Sequence, residues 1–332
     1  MNTTMETTEH LGISVIICCY NSADLIKEAL AALAIQKNTE SINWEIVLVD
    51  NNSNDNTAEI AANSWKSFAT KTPLRVIKEV NPGLIHARKK GIEASEYNIL
   101  IFCDDDNRLC DDYVATVNKE FSSDSKLAVL GGMGIPAFQT KKPEWFDKYA
   151  INYAVGSQKG AKAKVKNLYG AGIALNKFFL SLLKSNGFNA YLTGRKGDIL
   201  LAGEDTEIIY AMQFMDIHIK YIEQLTFEHF LISKRLTIQY LCEMRYGIGA
   251  ARPFLKIYEK VIKNQPLSLF YYYRELYNSY IRSLYYQIYP QPSEIKKPKI
   301  AYEKGFVRSL KATKNDLQNM HSELMFLKSK LN

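Results

Sequence analysis

The 332-residue sequence predicts an α/β fold with a mainly parallel, doubly wound sheet, followed by a helical C-terminal region. Short apolar runs alternate with amphipathic helical segments at intervals of roughly 25–30 residues through the first half of the chain, which is typical of such sheets. Beyond about residue 231, the apolar residues recur mostly at helical spacing. These two observations carry the prediction.

Strands are predicted where short runs are continuously apolar and rich in β-branched residues. They cover 13–18, 44–49, 74–79, 98–103, 127–130 and 218–222. Helices are predicted where apolar residues recur every three to four positions after a polar start. They cover 24–36, a segment from the polar cluster 50–55 to about 68, 84–95, 111–121, part of 172–187, and 204–215. The glycines and proline of 131–136 predict a loop.

Composition and charge exclude several classes of protein. With 47% hydrophobic and 23% charged residues, the chain is neither disordered, collagen-like nor mainly coiled coil. No apolar run approaches the ~18 residues of a membrane span, which excludes a polytopic membrane protein. The net charge of +7 is uneven, because residues 231–332 hold 18 basic and 7 acidic side chains. This basic region predicts an anionic partner.

The cysteines and the N-terminus predict a cytoplasmic location. Cys18 and Cys19 are adjacent in an extended run, so their side chains point to opposite faces and are poorly placed to pair. The first ten residues contain two glutamates and no basic segment, unlike a secretory signal. We therefore expect reduced thiols in the cytoplasm, with the inner face of the membrane as a further location.

Polar side chains follow three of the predicted strands where each strand ends: Tyr20-Asn21, Asp50-Asn51 and Asp104-Asp105-Asp106. The carboxyl ends of parallel strands meet at one edge of the sheet, where ligands bind. Three successive carboxylates repel one another unless a cation or hydrogen-bond donors compensate, and Mg²⁺ or Mn²⁺ prefers such oxygen ligands. A solvated acidic turn is the alternative for the three aspartates, and a helix N-cap cluster is the alternative for residues 50–53.

Three further groups could carry chemistry, each with a structural alternative. Glu204 and Asp205 open a helix, and the helix dipole favours acidic residues at that end. A carboxylate there could also act as a general base. His229 lies between two phenylalanines in the sequence. It is either a packed histidine or a ligand of the same metal ion as Asp106. Arg88 either neutralises a phosphate, pairs with the strand-end carboxylates, or is a surface charge.

In this order, the segments resemble the family 2 glycosyltransferases with the GT-A fold. The matching stretches, which spread over roughly 12–245, are SVIICCYNSADLIKEAL, EIVLVDNNSNDNT, NPGLIHARKKGIEAS, NILIFCDDDN, YGAGIALNK and GEDTEIIYAMQ, followed by His229. The resemblance implies a glycosyltransferase domain over 10–235, with 236–332 as a helical, basic and aromatic region. It implies transfer of a sugar, with inversion, from a nucleotide-sugar donor to a hydroxyl of a glycan or lipid-linked saccharide, in cell-surface polysaccharide synthesis.

The resemblance also implies roles for individual residues. Asp106, with His229 as a further ligand, would bind the Mn²⁺ or Mg²⁺ that holds the donor diphosphate, and Asp205 would be the catalytic base. Asp104 would contact ribose or metal, and Asp50 would read the base. The whole donor-binding set would be Tyr20, Asn21, Asp50, Arg88, Asp104, Asp105 and Glu204.

Some family motifs are missing from this sequence, and other functions have to be weighed against a glycosyltransferase. The Gln-x-x-Arg-Trp motif and membrane helices of the processive synthases are absent from the sequence, which favours addition of a single sugar. The alternatives are a nucleotidyltransferase-like enzyme and a non-catalytic nucleotide-sugar binder. The first usually needs a Gly-rich signature after the first strand, which is absent after Cys19. No recognised motif supports a nucleic-acid partner.

The basic C-terminal region contains an unusual aromatic segment. Residues 270–289 hold eight tyrosines together with Arg274 and Arg282. Tyrosine rings and basic side chains on one helix fit an interfacial membrane helix, which would give the protein a peripheral contact with the membrane. The alternative is that the tyrosines pack on the body of the protein or on a second subunit in a homodimer.

Overall fold

A computed structural model describes residues 12–159, 167–192, 194 and 202–331. The start of the predicted domain at residue 10, and the N-terminal segment predicted not to be a secretory signal, lie outside the described residues. Eight strands and ten α-helices lie within the described ranges. The predicted α/β class and the helical C-terminal region are confirmed.

The strands mostly begin and end close to their predicted limits. They are Ile13–Cys19 (β1), Trp44–Asp50 (β2), Leu74–Lys78 (β3), Ile99–Asp104 (β4), Asn107–Leu109 (β5), Leu127–Phe138 (β6), Ala174–Asn176 (β7) and His218–Leu231 (β8). Strand β5 was not predicted. Strands β6 and β8 extend well beyond the predicted 127–130 and 218–222, so the predicted loop at 131–136 is part of a strand.

The helices alternate with the strands in the first part of the chain and then follow one another. They are Ile26–Ala34 (α1), Thr57–Ser67 (α2), Leu84–Ala94 (α3), Tyr113–Ser123 (α4), Lys177–Ser185 (α5), Glu204–Met212 (α6), Ile238–Ile262 (α7), Leu269–Ile288 (α8), Ser293–Ala312 (α9) and Asp316–Leu331 (α10). None of the described helices is both long enough and apolar enough to cross a bilayer.

All eight strands belong to one sheet, in the order β3-β2-β1-β4-β7-β6-β8-β5. Strand β1 pairs in parallel with β2 and β4, and β2 pairs in parallel with β3. Strand β7 pairs antiparallel with both β4 and β6, so the sheet is mixed beyond its parallel half. The apolar side chains of β1 and β2 are buried, as expected for strands covered on both faces.

The chain divides into two compact units, which are described separately. The first comprises the described residues up to Gly134 together with Ala171–Phe179 and His218–Glu228. The second comprises Ile135–Gly170, Leu180–Ile217 and the described residues from His229 onward. The first unit therefore holds the parallel strands with helices α1 to α4, and the second holds α6 to α10.

A buried carboxylate at the amino end of β2 illustrates a purely structural acidic residue. The side chain of Glu45 is 1% exposed and accepts hydrogen bonds from Ser14 Oγ (2.7 Å), from the backbone of Glu96 (2.8 Å) and from Arg75 Nη2 (2.6 Å). Because a guanidinium and two further donors surround it, this carboxylate is fully satisfied. The carboxyl ends of the parallel strands, at the opposite edge of the sheet, carry the aspartates described next.

Candidate functional site

The carboxyl ends of β1, β2 and β4 lie side by side, as the sequence predicts. In the register of the sheet, Cys18 stands opposite Asp104 and Cys19 stands opposite Asp50. Burial raises the pKa of the Cys19 thiol well above its usual value, and the nearby charges of Asp105 and Asp50 add to the shift. Several carboxylates therefore lie near the ends of adjacent strands, where together they create a negative electrostatic potential.

The thiol of Cys103, in the neighbouring strand β4, lies in the same negative potential. Burial raises the pKa of Cys103 in β4 well above its usual value, and the charges of Asp104, Asp106 and Asp105 raise it further. Asp106 is 5% exposed, and its Oδ1 accepts a hydrogen bond from Nδ2 of Asn107 at 3.1 Å. The structure therefore gathers the three consecutive aspartates and Asp50 in the first unit.

The loops after β1 and β2 hold each other in place. The backbone N–H of Asn21 donates to Ser53 Oγ at 3.0 Å, and Oδ1 of Asn21 accepts from the backbone of Asn54 at 2.8 Å. The hydroxyl of Ser22 donates to Oδ2 of Asp105. Asn21 adopts a left-handed backbone with φ of 52°, which asparagine tolerates better than most residues. Asn21 and Asp105 thus have a clear positioning role in these loops.

Asn51 is a positioning residue whose role the sequence did not reveal. It is buried, and its Nδ2 donates to the backbone carbonyls of Glu79 (3.3 Å) and Asn81 (2.7 Å). Its Oδ1 accepts from the backbone of Gly83 at 2.8 Å, and its own backbone N–H donates to Cys19 at 2.8 Å. Asn51 therefore ties the end of β1, which its backbone N–H contacts, to the loop that leads into α3, which its side chain holds.

Residues 50–53 do not cap α2, so the alternative that they form a helix N-cap cluster does not hold. Helix α2 begins at Thr57, and the side chain that accepts from the Thr57 backbone is Asp55, at 3.1 Å. Asp50, 9% exposed, instead accepts from the backbone of Ser53 at 3.1 Å. The Asp50 carboxylate is therefore fixed at the strand end.

Arg88 and Tyr20 lie around the same edge. The guanidinium of Arg88, on α3, lies 5.5 Å from the centroid of the Phe102 ring. Phe102 and Asp104 are two residues apart on β4, so their side chains point to the same face of the sheet. Arg88 therefore lies on the face that carries Asp104. Tyr20 is 53% exposed, so its ring is available to a ligand.

The second unit carries the predicted acidic pair at the start of α6. Glu204 is buried, and Asp205 is half-buried. The Asp205 carboxylate packs directly against Gly170, where a Cβ would lie only 2.0 Å from Oδ2. Any larger residue at position 170 would collide with this carboxylate. Gly170 therefore provides the space that Asp205 occupies.

Glu207, one turn further along α6, is a buried carboxylate that sequence reasoning missed. It is fully buried and accepts hydrogen bonds from the backbones of Tyr191 and Leu192, both at 2.8 Å, and from the hydroxyl of Tyr258 at 2.7 Å. Burial raises its pKa to about 7, although these hydrogen bonds oppose the shift. Its spacing of three residues from Glu204, just before two isoleucines, was the available signal.

His229 lies in the second unit near the end of β8. Its side chain is 6% exposed, and its Nε2 lies 3.3 Å from Nη1 of Arg235. A guanidinium only donates, so Nε2 is the acceptor in this contact. A cation bound at Nε2 would have to displace Arg235. The metal role of His229 stays a prediction.

Comparison with known proteins identifies the family. The sequence pattern described as Glycosyl transferase family 2 matches residues 14–181, about half of the chain. The chain belongs to this family. The matched range includes the strand ends of β1, β2 and β4 and the loop that contains Gly170.

Two curated relatives are named poly-beta-1,6-N-acetyl-D-glucosamine synthase. The one from Staphylococcus epidermidis is 26% identical over 263 residues, and the one from Staphylococcus aureus is 24% identical over 259 residues. Each alignment covers 78% of this chain and 59% of the relative. The chain thus spans less than two thirds of the length of these relatives.

Two solved structures show the same fold. The mannosyltransferase PcManGT from Pyrobaculum calidifontis, in complex with GDP-Man and Mn²⁺, has a TM-score of 0.55 at 15% identity, covering 98% of this chain and 88% of that one. S. aureus TarS 1-349, in complex with UDP-GlcNAc, has a TM-score of 0.51 at 16% identity, covering 96% and 88%. The predicted GT-A fold is confirmed.

Proposed function

We propose that the protein is an inverting glycosyltransferase that moves a single sugar from a nucleotide-sugar donor to a hydroxyl acceptor in cell-surface polysaccharide synthesis. The observation that carries the proposal is the convergence of Asp50 and Asp104–Asp106 at the carboxyl edge of the parallel strands, in a chain of this family. Pockets of α/β sheets lie at this edge. The relatives named as polysaccharide synthases support the polysaccharide role.

The donor-binding part of the proposal rests on the first unit. The exposed ring of Tyr20 offers a surface for stacking a nucleobase, and the fixed carboxylate of Asp50 can accept hydrogen bonds from a base or ribose. Arg88 brings a positive charge to the face of the sheet that holds Asp104, where a diphosphate would need one. Asn21 and Asp105 position the loops around this site, and Glu204 completes the proposed donor-binding set.

Asp104 and Asp106 suit a divalent cation. Among the described residues, no group of three or more His, Cys, Asp and Glu side chains is arranged to hold a metal alone. Mg²⁺ in nucleotide enzymes usually takes only one or two carboxylates and completes its shell with phosphate oxygens and water. The charges of Asp104, Asp105 and Asp106, which add to the effect of burial in raising the pKa of the Cys103 thiol, suit such a cation. Bound there, Mn²⁺ or Mg²⁺ would neutralise charge on the leaving diphosphate.

Asp205 is the proposed general base. Its carboxylate is half-buried at the first turn of α6 and is held beside Gly170. In the proposed reaction it removes the proton from the acceptor hydroxyl as that oxygen attacks the anomeric carbon opposite the leaving diphosphate. A positioned base typically contributes about 10²–10⁴-fold to the rate. That Asp205 reaches the acceptor remains a prediction.

The release of nucleoside diphosphate tests the proposed function. Purified protein would be incubated with Mn²⁺ and a panel of UDP- and GDP-sugars, with and without saccharide acceptors. Transfer predicts diphosphate release that depends on acceptor and is lost in Asp205→Asn. A nucleotidyltransferase would instead release no diphosphate, but with added inorganic pyrophosphate it would convert the nucleotide sugar to a nucleoside triphosphate and a sugar 1-phosphate. Donor binding without turnover for any acceptor would favour a non-catalytic binder.

We also propose that helix α8 lies on the inner surface of a membrane, where a lipid-linked acceptor would be found. Its buried positions are Tyr271, Tyr272, Glu275 and Ser279, whereas ten large apolar side chains of α8 and its flank are exposed. They are Leu269, Phe270, Tyr273, Tyr277, Tyr280, Ile281, Leu284, Tyr285, Ile288 and Tyr289. An aromatic face beside many basic side chains suits anionic lipid headgroups.

A further inference from the structure

The helical part of the second unit contains a basic cavity that none of the roles above uses. Its volume is about 340 Å³, which is large enough for a small ligand. Helix α7 lines it with Arg245, Arg252 and Lys256, which lie seven and four residues apart and so share one helix face. The other lining residues are Arg282, Tyr286, Lys299, Tyr302, Glu303 and Phe306, from α8 and α9.

Three of the five cationic side chains have carboxylate partners. Arg252 Nη1 lies 2.6 Å from Glu259, Lys256 Nζ lies 2.5 Å from Glu275, and Arg282 Nε lies 2.6 Å from Glu303. These three pairs are formally neutral. The pairs also hold the three cationic side chains in fixed positions along the cavity wall.

The two remaining cations pack on aromatic rings. The guanidinium of Arg245 lies 4.6 Å from the centroid of Tyr302, and Lys299 Nζ lies 5.1 Å from the centroid of Tyr286. Within the part of the chain that the structure describes, neither forms an ion pair with a carboxylate. The five cations and three carboxylates therefore leave a formal excess of two positive charges around the cavity.

Arg245 has a guanidinium whose hydrogen-bonding capacity is incompletely satisfied. Its Nε is buried without a hydrogen-bond partner, and its Nη1 reaches Asn152 Oδ1 only at 3.4 Å. Burial lowers the pKa of its guanidinium, and the neighbouring Tyr302 and Tyr149 oppose the shift. A buried charge with an unsatisfied donor is costly, and an anion placed beside it would offset that cost.

The helix crossing that frames the cavity is tightly packed. A Cβ on Gly249 of α7 would lie 2.1 Å from the backbone oxygen of Tyr302, and a Cβ on Gly305 of α9 would lie 2.1 Å from that of Tyr246. The backbones of α7 and α9 therefore touch at these glycines. Because Tyr302 lines the cavity at the crossing, the spacing of the α7 and α9 walls is set by backbone contact.

We propose that this cavity binds a phosphate group, either of a soluble phosphate or phosphate ester or of a lipid headgroup. A dianionic phosphate matches the excess of two positive charges, whereas a single carboxylate would neutralise only half of it. The planar guanidinium of Arg245 presents paired donors that suit phosphate oxygens. The rings of Tyr286, Tyr302 and Phe306 also line the cavity and offer an apolar surface to an ester group.

Titration calorimetry with inorganic phosphate and glycerol 3-phosphate tests the soluble source. The buffer contains EDTA, so that phosphate cannot bind through a divalent cation at the donor site. We expect binding to weaken by about tenfold or more in Arg245→Gln and in Lys299→Gln, because each loses a charged hydrogen bond. The matched control is Lys304→Gln, an exposed charge on α9 outside the cavity, which should bind as the wild type does.

Flotation with phosphatidylcholine vesicles containing phosphatidic acid tests the lipid source with the same three variants. Weaker binding of the two cavity variants, but not of Lys304→Gln, in either experiment supports the proposal and identifies the source. Lys299 lies at the partly exposed rim, so its variant remains informative if Arg245→Gln does not fold. The proposal is overturned if the cavity variants and the control behave alike in both experiments.

Discussion

The carboxylate of Asp205 occupies the space that a side chain at Gly170 would need, with only 2.0 Å between Oδ2 and a Cβ at that position. Gly170→Ala should therefore displace the carboxylate rather than unfold the protein, because the end of a side chain moves more easily than backbone. A displacement of about 1 Å can cost roughly 10²-fold in rate. We expect kcat to fall by about that factor, with donor affinity nearly unchanged.

A double variant tests whether Gly170→Ala acts through Asp205. If it does, Gly170→Ala combined with Asp205→Asn should be no slower than Asp205→Asn alone, because the displaced group has already been removed. Multiplying rate losses in the double variant would show that Gly170 acts by another route. Steady-state kinetics of diphosphate release measures all three proteins.

Asp106→Asn should weaken the cation-dependent part of donor binding. The substitution keeps an oxygen that can accept from Asn107 Nδ2 but removes the negative charge that a divalent cation requires. We expect the gain in donor affinity that Mn²⁺ produces to shrink by about tenfold or more, measured by calorimetry with and without the ion. Asp111→Asn, at an exposed ion pair with Lys37, is the matched control. Equal Mn²⁺ dependence in both variants would contradict the role of Asp106.

Glu207 predicts a pH dependence of stability. Its pKa is raised from the ordinary 4.5 to about 7 in the folded protein, so the unfolded state ionises first as the pH rises. Burial of the neutral Glu207 carboxyl favours the folded state fully below about pH 4.5. As the pH rises to about 7, the free energy of unfolding falls by about 3 kcal/mol, because only the unfolded state ionises freely over this range. Glu207→Gln removes this titration. The difference in unfolding free energy between wild type and variant should therefore fall across that range.

Urea denaturation between pH 4.5 and 8 measures that difference directly. Glu40→Gln, at an exposed carboxylate, should follow the wild-type profile and serves as the control. A constant offset between wild type and Glu207→Gln at every pH would mean that Glu207 ionises normally in the folded protein.

The exposed face of α8 predicts binding to anionic vesicles. Phe270 and Ile288 are each 72% exposed, and burial of such a side chain is worth about 1.5–3 kcal/mol. Their joint replacement by serine should reduce flotation with phosphatidylglycerol vesicles by at least about tenfold. Phe326→Ser, at a side chain 63% exposed on α10, is the control. A wild-type protein that does not float at low salt but is dimeric by light scattering would assign the face to a second subunit.

The parallel half of the fold could be predicted from sequence because its strands are short, apolar and buried on both faces. The extension of β6 could not, because Gly131, Gly132 and Pro136 are normally turn residues, and only pairing with other strands overrides that preference. Such pairing joins residues far apart in the chain, as where the backbone N–H of Gln139, directly after β6, donates to the carbonyl of Leu231 at 3.0 Å.

The site shows the same division. The aspartates at the strand ends were predictable, because topology alone brings the ends of parallel strands together. The role of Asn51 was not, because its partners at Glu79, Asn81 and Gly83 are backbone atoms that carry no signature in the sequence. Glu207 was not predicted, because its raised pKa comes from burial, and the residues that surround it, such as Tyr258, lie far away in the chain.

The hydrogen bonds of Asn51 and Asn21 limit how this protein could be re-engineered. The segments after β1, β2 and β3 depend on one another, since each is anchored by an atom of another segment. Transplanting one of them from a relative would leave amides and carbonyls of the other two without acceptors or donors. A chimera with altered donor preference would therefore have to exchange all three as a single cassette.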